Sequence, residues 1–416
     1  METDPVRVDA ARCAAQRTEP ERKAPLPRWF ETTLLVLQRI EAGRLEVTLP
    51  DGRLFEAQGT KPGPDVKIAV HDSRFFARLV RDGDMGFSES YLDGWWTTPD
   101  LQGVLDFFLL NNDVINKTVP GAGIVRAYER LRHWLRANSK AQARRNISHH
   151  YDLGNEFYRL WLDSSMTYSS ALFQGRQETL ETAQRNKYAA ICDGIGVKPG
   201  DHLLEIGCGW GAFAEFAAAE RGARVTALTI SREQHDFARG RIAAAGLSDQ
   251  VEIVMRDYRD ERGRYDGIAS IEMFEAVGER YWPAYFSTLH QRLHPGGRAT
   301  LQVITIADRL FGRYRRGVDF IQKYIFPGGM LPSPTVFHRQ ASNAGLELVG
   351  SLEFGQSYSE TLRRWHTTFN ERWEEVRGLG FDDRFRRMWE FYLTSCAACF
   401  RAATTDVTQV TLRRPE

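Results

Sequence analysis

One segment of the sequence constrains the fold more than any other, because an apolar run ends in three glycines at alternate positions. Residues 201–211 are Asp-His-Leu-Leu-Glu-Ile-Gly-Cys-Gly-Trp-Gly, and a helix-type pattern begins at Ala212. Glycines in such a turn let the backbone approach a ligand without a clash at Cβ. The spacing G-x-G-x-G differs from the dinucleotide-binding G-x-G-x-x-G, and the Lys-Ser/Thr of a phosphate-binding loop is absent. The segment therefore predicts a strand–loop–helix unit with a ligand beyond the end of the strand.

Strand-type and helix-type patterns alternate through the second half of the chain. This alternation predicts one α/β domain, with a mostly parallel sheet covered by helices on both faces. The predicted strands are Leu203–Ile206, Arg224–Thr229, Val251–Met255, Gly267–Ile271 and Ala299–Ile306.

The composition excludes several classes of protein. The 416 residues contain 55 Lys plus Arg and 54 Asp plus Glu, so the net charge of +1 argues against a nucleic-acid partner. No apolar run approaches the roughly 18 residues of a membrane-spanning helix. Five cysteines form a sparse, odd set, which favours a reducing compartment. The charged segment Met1–Lys23 lacks the apolar stretch of a secretory signal.

Four regions are predicted along the chain. Residues 1–27 form a polar tail, 28–117 a small α+β domain, 118–146 a basic helical linker and 147–416 the large α/β domain. The small domain contains a hairpin signal, since apolar residues alternate up to Leu49, the chain turns at residues 50–52, and Leu54 and Phe55 resume the pattern. A further strand with Val66, Ile68 and Val70 and a helix with Phe75, Phe76, Leu79 and Val80 are expected to follow.

The linker contains a basic amphipathic pattern at 124–145. Seven basic residues accompany one acidic residue, and Trp134 belongs to an apolar stripe on the same segment. A cationic helix with Trp is suited to an anionic membrane surface, although a solvated helix between domains has the same composition. Both interpretations remain open from the sequence.

Six ordered motifs within residues 147–416 resemble the cyclopropane-fatty-acyl-phospholipid synthase family, which includes the mycolic acid methyltransferases. The resemblance implies a class I, Rossmann-like S-adenosylmethionine-dependent methyltransferase domain, and it extends more weakly over 28–117 as a small lipid-handling domain. The motifs are His150-Tyr151-Asp152-Leu153-Gly154-Asn155, Met166-Thr167-Tyr168-Ser169-Ser170-Ala171, Leu228-Thr229-Ile230-Ser231-Arg232-Glu233-Gln234, Met273-Phe274-Glu275-Ala276-Val277-Gly278, Lys323-Tyr324-Ile325-Phe326-Pro327-Gly328-Gly329 and Tyr392-Leu393-Thr394-Ser395-Cys396-Ala397.

The resemblance also assigns a cofactor site. The second predicted strand lacks the terminal acid that holds the ribose in many methyltransferases, and Thr229 and Gln234 follow it instead. The residues that the resemblance implies for S-adenosylmethionine are Tyr168, Ser169, Glu205, Gly207, Gly209, Gly211, Thr229, Gln234, Asp257 and Tyr258.

The chemistry of the family requires a base. S-Adenosylmethionine carries an electrophilic methyl group, the nucleophile is an acyl double bond, and the resulting carbocation must lose a proton. In the family a bound bicarbonate, held by Glu, His, Tyr and backbone groups, is the base. Glu275 and Tyr358 match this set, but Ser170 replaces a Cys and Ile304 stands where we align the His. Gln302 lies on the same side of the strand as Ile304 and is a candidate substitute.

Aromatic side chains and basic residues are candidates for the lipid path. Aromatic faces stabilise cations, and the predicted substrate contacts are Phe274, Tyr324, Phe326 and Trp365, with Trp389 as a further aromatic candidate. Basic residues interleave with aromatic ones between residues 309 and 326, as a cationic entrance to an apolar tunnel requires. The Cys396/Cys399 spacing lacks a second ligand pair, so no metal site is predicted.

These features predict a C-methyltransferase of unsaturated phospholipid acyl chains that forms a cyclopropane or a methylated or methylene product. The alternatives are a non-catalytic lipid-binding homologue and a methyltransferase of a soluble small molecule. The expected partner is an anionic phospholipid membrane, at whose cytoplasmic face the protein would be peripheral. The sequence leaves the subunit count open, with a homodimer as one arrangement.

Overall fold

The computed structural model describes residues 6–8, 25–113, 115 and 153–416. Its internal contacts divide the chain into two units. Unit 1 comprises residues 1–129 and 380–402, and unit 2 comprises residues 130–379 and 403–416. Residues 380–402, which the sequence analysis grouped with the large α/β domain, therefore pack with the N-terminal unit.

Unit 1 is a five-stranded sheet with helices. The strand order is β1-β3-β2-β4-β5, and β2 pairs antiparallel with β3 and parallel with β4. The predicted hairpin, the strand after it and the following helix are confirmed as β2–β3, β4 and α2. The strands are β1 (Val6–Val8), β2 (Ala42–Thr48), β3 (Leu54–Gln58), β4 (Lys61–Val70) and β5 (Trp96–Thr97), and the helices are α1 (Phe30–Leu37), α2 (Arg74–Asp82), α3 (Asp84–Leu92) and α4 (Leu101–Leu110).

The long helix of residues 383–401 completes the aromatic core of unit 1. The ring of Phe391 lies 5.8 Å from that of Tyr91, and the Arg387 side chain donates a hydrogen bond to the Leu92 carbonyl. Trp389 packs in the same unit, with its ring 5.4 Å from Phe385 and 5.2 Å from Tyr392. Trp389 is therefore a core residue of unit 1, and the aromatic rings there serve packing.

Unit 2 is built on a seven-stranded sheet of order β11-β12-β10-β9-β6-β7-β8. Strands β6 to β10 pair in parallel, while β12 is antiparallel to both β10 and β11. The predicted α/β architecture is confirmed, and each of the five predicted strands is present. The strands are β6 (His202–Ile206), β7 (Arg224–Thr229), β8 (Val251–Met255), β9 (Tyr265–Ile271), β10 (Leu293–Ile306), β11 (Glu347–Glu353) and β12 (Thr405–Arg413).

Helices bury both faces of this sheet in two apolar clusters. One cluster joins Leu203 and Val225 to Phe213, and the other joins Leu301 to Phe286 and Phe337. The helices of unit 2 are α5 (Asn155–Arg159), α6 (Leu180–Ile195), α7 (Ala212–Arg221), α8 (Arg232–Ala244), α9 (Trp282–Arg292), α10 (Asp308–Tyr314), α11 (Pro334–Asn343), α12 (Gly355–Glu371) and α13 (Trp373–Gly378), and α14 (Asp383–Arg401) is the long helix of unit 1.

A π-helical turn, Ile321–Ile325, follows α10 in the segment rich in Arg and aromatic residues. Gln322 stabilises this segment, because its side-chain amide donates hydrogen bonds to the Tyr314 hydroxyl and the Gly329 carbonyl. The basic helix predicted at 124–145 lies outside the described residues. Within the part of the chain that is described, no helix has the length and apolar character needed to cross a bilayer.

Candidate active site

The glycine loop that follows β6 is held in a conformation that requires glycine. Gly207 and Gly211 have φ angles of +85° and +86°. A Cβ atom on Gly207 would lie 2.8 Å from Cγ of Met273, and one on Gly211 would lie 3.0 Å from Cβ of Ala238. The backbone N–H groups of Gly207 and Cys208 both donate to the Leu228 carbonyl at the end of β7. The loop is thus packed against two neighbouring segments, and a side chain on Gly207 would displace one of them.

Polar groups collect beyond the carboxyl ends of β6 and β7, where ligands bind in sheets of this type. The Thr229 hydroxyl donates to Oε1 of Gln234 at 3.1 Å and accepts from the Ser231 N–H. Glu205 is 2% exposed, and its Oε2 is buried and has no hydrogen-bond partner among the described residues. Burial raises the pKa of Glu205 to about 8. Glu205 therefore has an acceptor available for a ligand group.

The two predicted contacts after β8 have protein partners. The Asp257 carboxylate pairs with the Arg259 guanidinium at 2.7 Å and caps the 3-10 turn Tyr258–Asp260. The Tyr258 ring packs edge-on against Tyr285, with 5.3 Å between the ring centroids. The Asp257 carboxylate thus orders the turn after β8, and its role towards a cofactor stays a prediction.

Tyr168 and Ser169 belong to a segment lined by aromatic rings. The Tyr168 ring lies 5.4 Å from both Tyr158 and Trp365, and 5.5 Å from Trp161. The Trp365 side chain is fully buried, and its indole N–H has no hydrogen-bond partner among the described residues. The aromatic faces form an apolar, π-rich wall of the kind that stabilises a cation.

A carboxylate that the sequence analysis did not single out, Glu272, accepts three hydrogen bonds at the end of β9. Its Oε1 accepts from the Ser170 backbone N–H and from the Gln302 amide, each at 2.8 Å. Its Oε2 accepts from the Tyr358 hydroxyl at 2.7 Å. Three of the four predicted catalytic residues, Ser170, Gln302 and Tyr358, therefore meet on one side chain.

The backbone and the pKa of Glu272 are both perturbed. Its φ angle is +50°, which is unfavourable for a residue with a side chain and indicates a constrained turn. Burial raises the pKa of Glu272, while the hydrogen bonds from Tyr358, Gln302 and Ser170 oppose this rise because they favour the carboxylate. A strained residue with a fully bonded carboxylate is a frequent feature of functional sites.

Glu275, the fourth predicted catalytic residue, lies on the 3-10 turn Phe274–Ala276 that follows Glu272. Its Oε1 accepts a hydrogen bond from the backbone N–H of Ile304, and its Oε2 is buried with no hydrogen-bond partner in the part of the chain that the structure describes. Burial, and then repulsion from Glu272, raise the pKa of Glu275 to about 8. Glu272 and Glu275 together form the acid cluster. Ile304 contributes a main-chain donor to this cluster, and Gln302, on the same strand β10, contributes its side-chain amide.

The four predicted substrate contacts lie in three different environments. Trp365 and Phe326 lie next to Tyr168, with Phe326 at a ring distance of 6.4 Å. Tyr324 is half-buried on the π-helical turn and packs on Phe320. Phe274 is 1% exposed and is surrounded by the rings of the hydrophobic core, so the structure gives it a packing role. The rings around Phe274 are Trp282, Tyr285, Phe286 and Phe337.

The glycine loop and the acid cluster are adjacent. Met273, which touches Gly207, lies between Glu272 and Phe274 in the chain, so one short segment contacts the loop and carries the acids. The space at the loop therefore lies close to the segment that carries the acids. No group of three or more metal-ligating side chains occurs in the described ranges.

Sequence reasoning missed Glu272 and a second buried ionisable residue, Lys187. The signal for Glu272 was present, since it is an acid directly after a buried strand, where parallel sheets place their ligands. Lys187 lies within helix α6 and gave no signal, because a lysine in a helix is ordinarily exposed.

This fold and loop define the protein as a class I S-adenosylmethionine-dependent methyltransferase, and comparison with known proteins narrows the class. The profile of the mycolic acid cyclopropane synthetases matches residues 138–410. Tuberculostearic acid methyltransferase UfaA1 from Mycobacterium tuberculosis is 41% identical over 386 residues, which cover 87% of each chain. Cyclopropane-fatty-acyl-phospholipid synthase from Escherichia coli is 34% identical over 356 residues, which cover 83% of this chain and 87% of the relative.

Comparison with solved structures supports the same family. The cyclopropane synthase MmaA2 from Mycobacterium tuberculosis, and the mycolic acid cyclopropane synthase CmaA1 complexed with SAH and CTAB, are each 30% identical with a TM-score of 0.62. Each match covers 65% of this chain and 98% of the solved chain. The chain belongs to the mycolic acid cyclopropane synthetase family, as its motifs predicted. It is an S-adenosylmethionine-dependent enzyme that modifies fatty acyl chains of lipids, as a methyltransferase or a cyclopropane synthase.

The residues of the loop fit S-adenosylmethionine. A Cβ atom on Gly209 would meet no other atom within 4 Å, so the loop leaves open space at this glycine, and the Thr229–Gln234 pair offers polar groups at the end of the neighbouring strand. A bound bicarbonate fits less well, because the groups expected to donate to it already donate to Glu272. These donors are the Ser170 N–H, the Gln302 amide and the Tyr358 hydroxyl.

Proposed function

We propose that this enzyme methylates the double bond of an unsaturated phospholipid acyl chain and releases a methyl-branched or methylene product without closing a cyclopropane ring. The observation that carries the proposal is the Glu272 carboxylate, which takes the donors that an external anion would need. The similarity to a tuberculostearic acid methyltransferase, which is 41% identical, supports the same outcome.

S-Adenosylmethionine supplies the electrophilic methyl group. In the proposed step a C–C bond would form between this methyl and one alkene carbon while the S–CH3 bond breaks, S-adenosylhomocysteine would be the leaving group, and the neighbouring chain carbon would become a carbocation. The rings of Tyr168, Trp365 and Trp161 offer π faces to this charge, and Trp161 and Trp365 are buried. The cation then loses a proton to a base, which restores a double bond.

Glu272 is the proposed base. Hydrogen bonds from Ser170, Gln302 and Tyr358 stabilise its ionised form and fix its position. Glu275, with a pKa raised to about 8 by burial, is largely protonated at pH 7. The two neighbouring carboxyl groups differ in their hydrogen bonds, because Glu272 accepts three and Glu275 accepts the Ile304 N–H. The position of Glu272 fixes which proton leaves, and therefore which product forms.

The partner of the enzyme is proposed to be an anionic phospholipid membrane, bound peripherally from the cytoplasmic side. Arg315 and its basic neighbours in residues 309–323 lie on the segment that carries Tyr324 and Phe326. A cationic segment beside aromatic rings suits a charged head group followed by an apolar chain. Binding should weaken at high ionic strength.

The test uses the full-length protein, S-adenosylmethionine with a trideuterated methyl group, and vesicles of dioleoylphosphatidylglycerol. Mass spectrometry and NMR of the acyl chains should show incorporated deuterium together with a retained alkene. A cyclopropane ring would overturn the assignment of product, and the absence of label in any lipid would overturn the proposed function.

The role of Glu272 is tested in the same assay. Glu272→Gln should lower kcat by about 1,000-fold, within the range for loss of a general base, while binding of S-adenosylmethionine persists. Glu252→Gln, a change at an exposed position of β8, is the matched control and should retain activity. Removing bicarbonate from the buffer should leave the wild-type rate unchanged. A bicarbonate-dependent rate would show that Glu272 is not the base.

A further inference from the structure

Lys187 is a fully buried lysine in a part of the protein that the proposed chemistry has not yet used. It lies on α6 and has no exposed surface. Its ammonium group donates to the Ser169 hydroxyl at 2.8 Å and to Oε1 of Gln184 at 2.6 Å, and it lies 4.5 Å from the centre of the Tyr188 ring. Neutral partners alone are a costly environment for a buried charge, so nearby carboxylates must balance it.

Three acidic residues on three different elements interact with this charge. Burial lowers the pKa of Lys187 to about 7, and Glu272, Asp163 and Glu205 oppose this decrease. Asp163 lies in the loop before the Tyr168 motif, Glu205 lies on β6, and Glu272 follows β9. Tyr188, next to Lys187 on its own helix, donates to or accepts from the Thr167 hydroxyl. Among the described residues, Glu272, Asp163 and Glu205 therefore interact electrostatically with Lys187, and the Tyr188 ring adjoins it.

Hydrogen bonds connect Lys187 to the acid cluster by two routes. On the first route, the Lys187 ammonium donates to the Ser169 hydroxyl, and the Gln184 amide donates to the Ser169 carbonyl. The backbone N–H of the next residue, Ser170, donates to Glu272. On the second route, the Gln409 amide donates to the main-chain carbonyl of Lys187 and to Oε1 of Gln302. Gln302 in turn donates to Glu272.

We propose that Lys187 is a positioning residue of the methyl-transfer site, whose positive charge keeps Glu272 ionised and whose hydrogen bond holds Ser169 between the cofactor loop and the base. The inference rests on the proposed function, because Glu272 is the proton acceptor there. Without the ammonium group, the buried Glu272 carboxylate would lose its favourable interaction with a positive charge, while burial would still favour its neutral form. Glu272 would then take up a proton at a higher pH and would lose its activity as a base.

The first test compares the pH dependence of kcat for the wild type and Lys187→Met, which keeps the length of the side chain and removes its charge. The acidic limb of the profile should move up by about one pH unit, since loss of a nearby opposite charge raises the pKa of a carboxyl group. Gln184→Met is the matched control, because it removes hydrogen bonds to Lys187 and Ser169 without removing a charge. The acidic limb of the Gln184→Met profile should stay at the wild-type pH. An unmoved limb in Lys187→Met would overturn the proposal.

A second measurement needs no turnover. The midpoints of thermal unfolding (Tm) of Lys187→Met, Glu272→Gln and the double variant form a cycle with the wild type. The double variant should retain a Tm about 3 °C or more above the value that additive losses predict, because the second change removes the unbalanced charge left by the first. Additive losses would overturn the pairing. If the wild type methylates no lipid, the proposed function fails, and this cycle still decides whether Lys187 balances Glu272.

Discussion

The glycine loop after β6 and the acid cluster after β9 lie side by side, yet they are specified in opposite ways. The loop is contiguous, and its function depends on backbone shape at Gly207 and Gly211. The cluster joins Ser170, Gln302 and Tyr358 to Glu272, from which they are separated by 102, 30 and 86 residues of sequence. The loop is therefore visible as a motif, whereas the cluster exists only after the sheet and α12 have formed.

This difference between the loop and the cluster indicates which part of the site tolerates amino-acid substitution. A positive φ angle and a close backbone approach leave glycine as the suitable residue, so the loop has little freedom. In the cluster, a carboxylate of the chain accepts hydrogen bonds that a separate anion otherwise accepts. One residue at a strand end can thus change the source of the base while the cofactor site stays the same.

The largest effect on cofactor binding is expected at the loop. Gly207→Ala should raise the Kd for S-adenosylmethionine about 100-fold, since a positive φ angle and displacement of Met273 together cost about 3 kcal/mol. Isothermal titration measures this change. Gly200→Ala is the control, because Gly200 has a φ of +89° but a Cβ atom there would meet no other atom within 4 Å. Equal losses in both variants would show that backbone strain alone, and not contact with Met273, explains the effect.

A smaller effect is expected at Glu275. Because burial raises the pKa of Glu275 to about 8, glutamine resembles the neutral form that prevails at pH 7 and still accepts the Ile304 N–H. Glu275→Gln should lower kcat about 10-fold at pH 7, the equivalent of one modest interaction. The deuterium pattern of the product should not change. A loss as large as that of Glu272→Gln would assign the proton transfer to Glu275.

The smallest effect concerns stability and the strand that precedes the loop. Burial raises the pKa of Glu205 to about 8 from a usual value of 4.5. Between these values the folded protein keeps a proton that the unfolded chain has lost, so rising pH favours unfolding. Glu205→Gln should therefore reduce the loss of Tm between pH 5 and pH 8, measured by calorimetry in the absence of ligand. The Glu252→Gln control should show the wild-type slope, and an unchanged slope in Glu205→Gln would indicate that Glu205 is ionised.

Much of the fold was predictable from local pattern. The hairpin at 50–52 and the five strands from Leu203 onwards follow from alternation, turn residues and buried runs, which act over a few residues. Helix α14 was grouped differently because an amphipathic helix does not specify which apolar surface it covers. Phe274 was a similar case, since an aromatic residue in a family motif suits either a ligand contact or the core.

The sequence by itself determined the glycine loop, the α/β class, the family and therefore the cofactor, because each depends on contiguous residues and on backbone conformation. Only the tertiary structure decided that Glu272 accepts the hydrogen bonds of Ser170, Gln302 and Tyr358, and that Lys187 is buried among carboxylates. The physical reason is that burial and charge balance depend on the groups that folding brings together from distant segments. The ionisation state of a side chain is therefore a property of the folded protein.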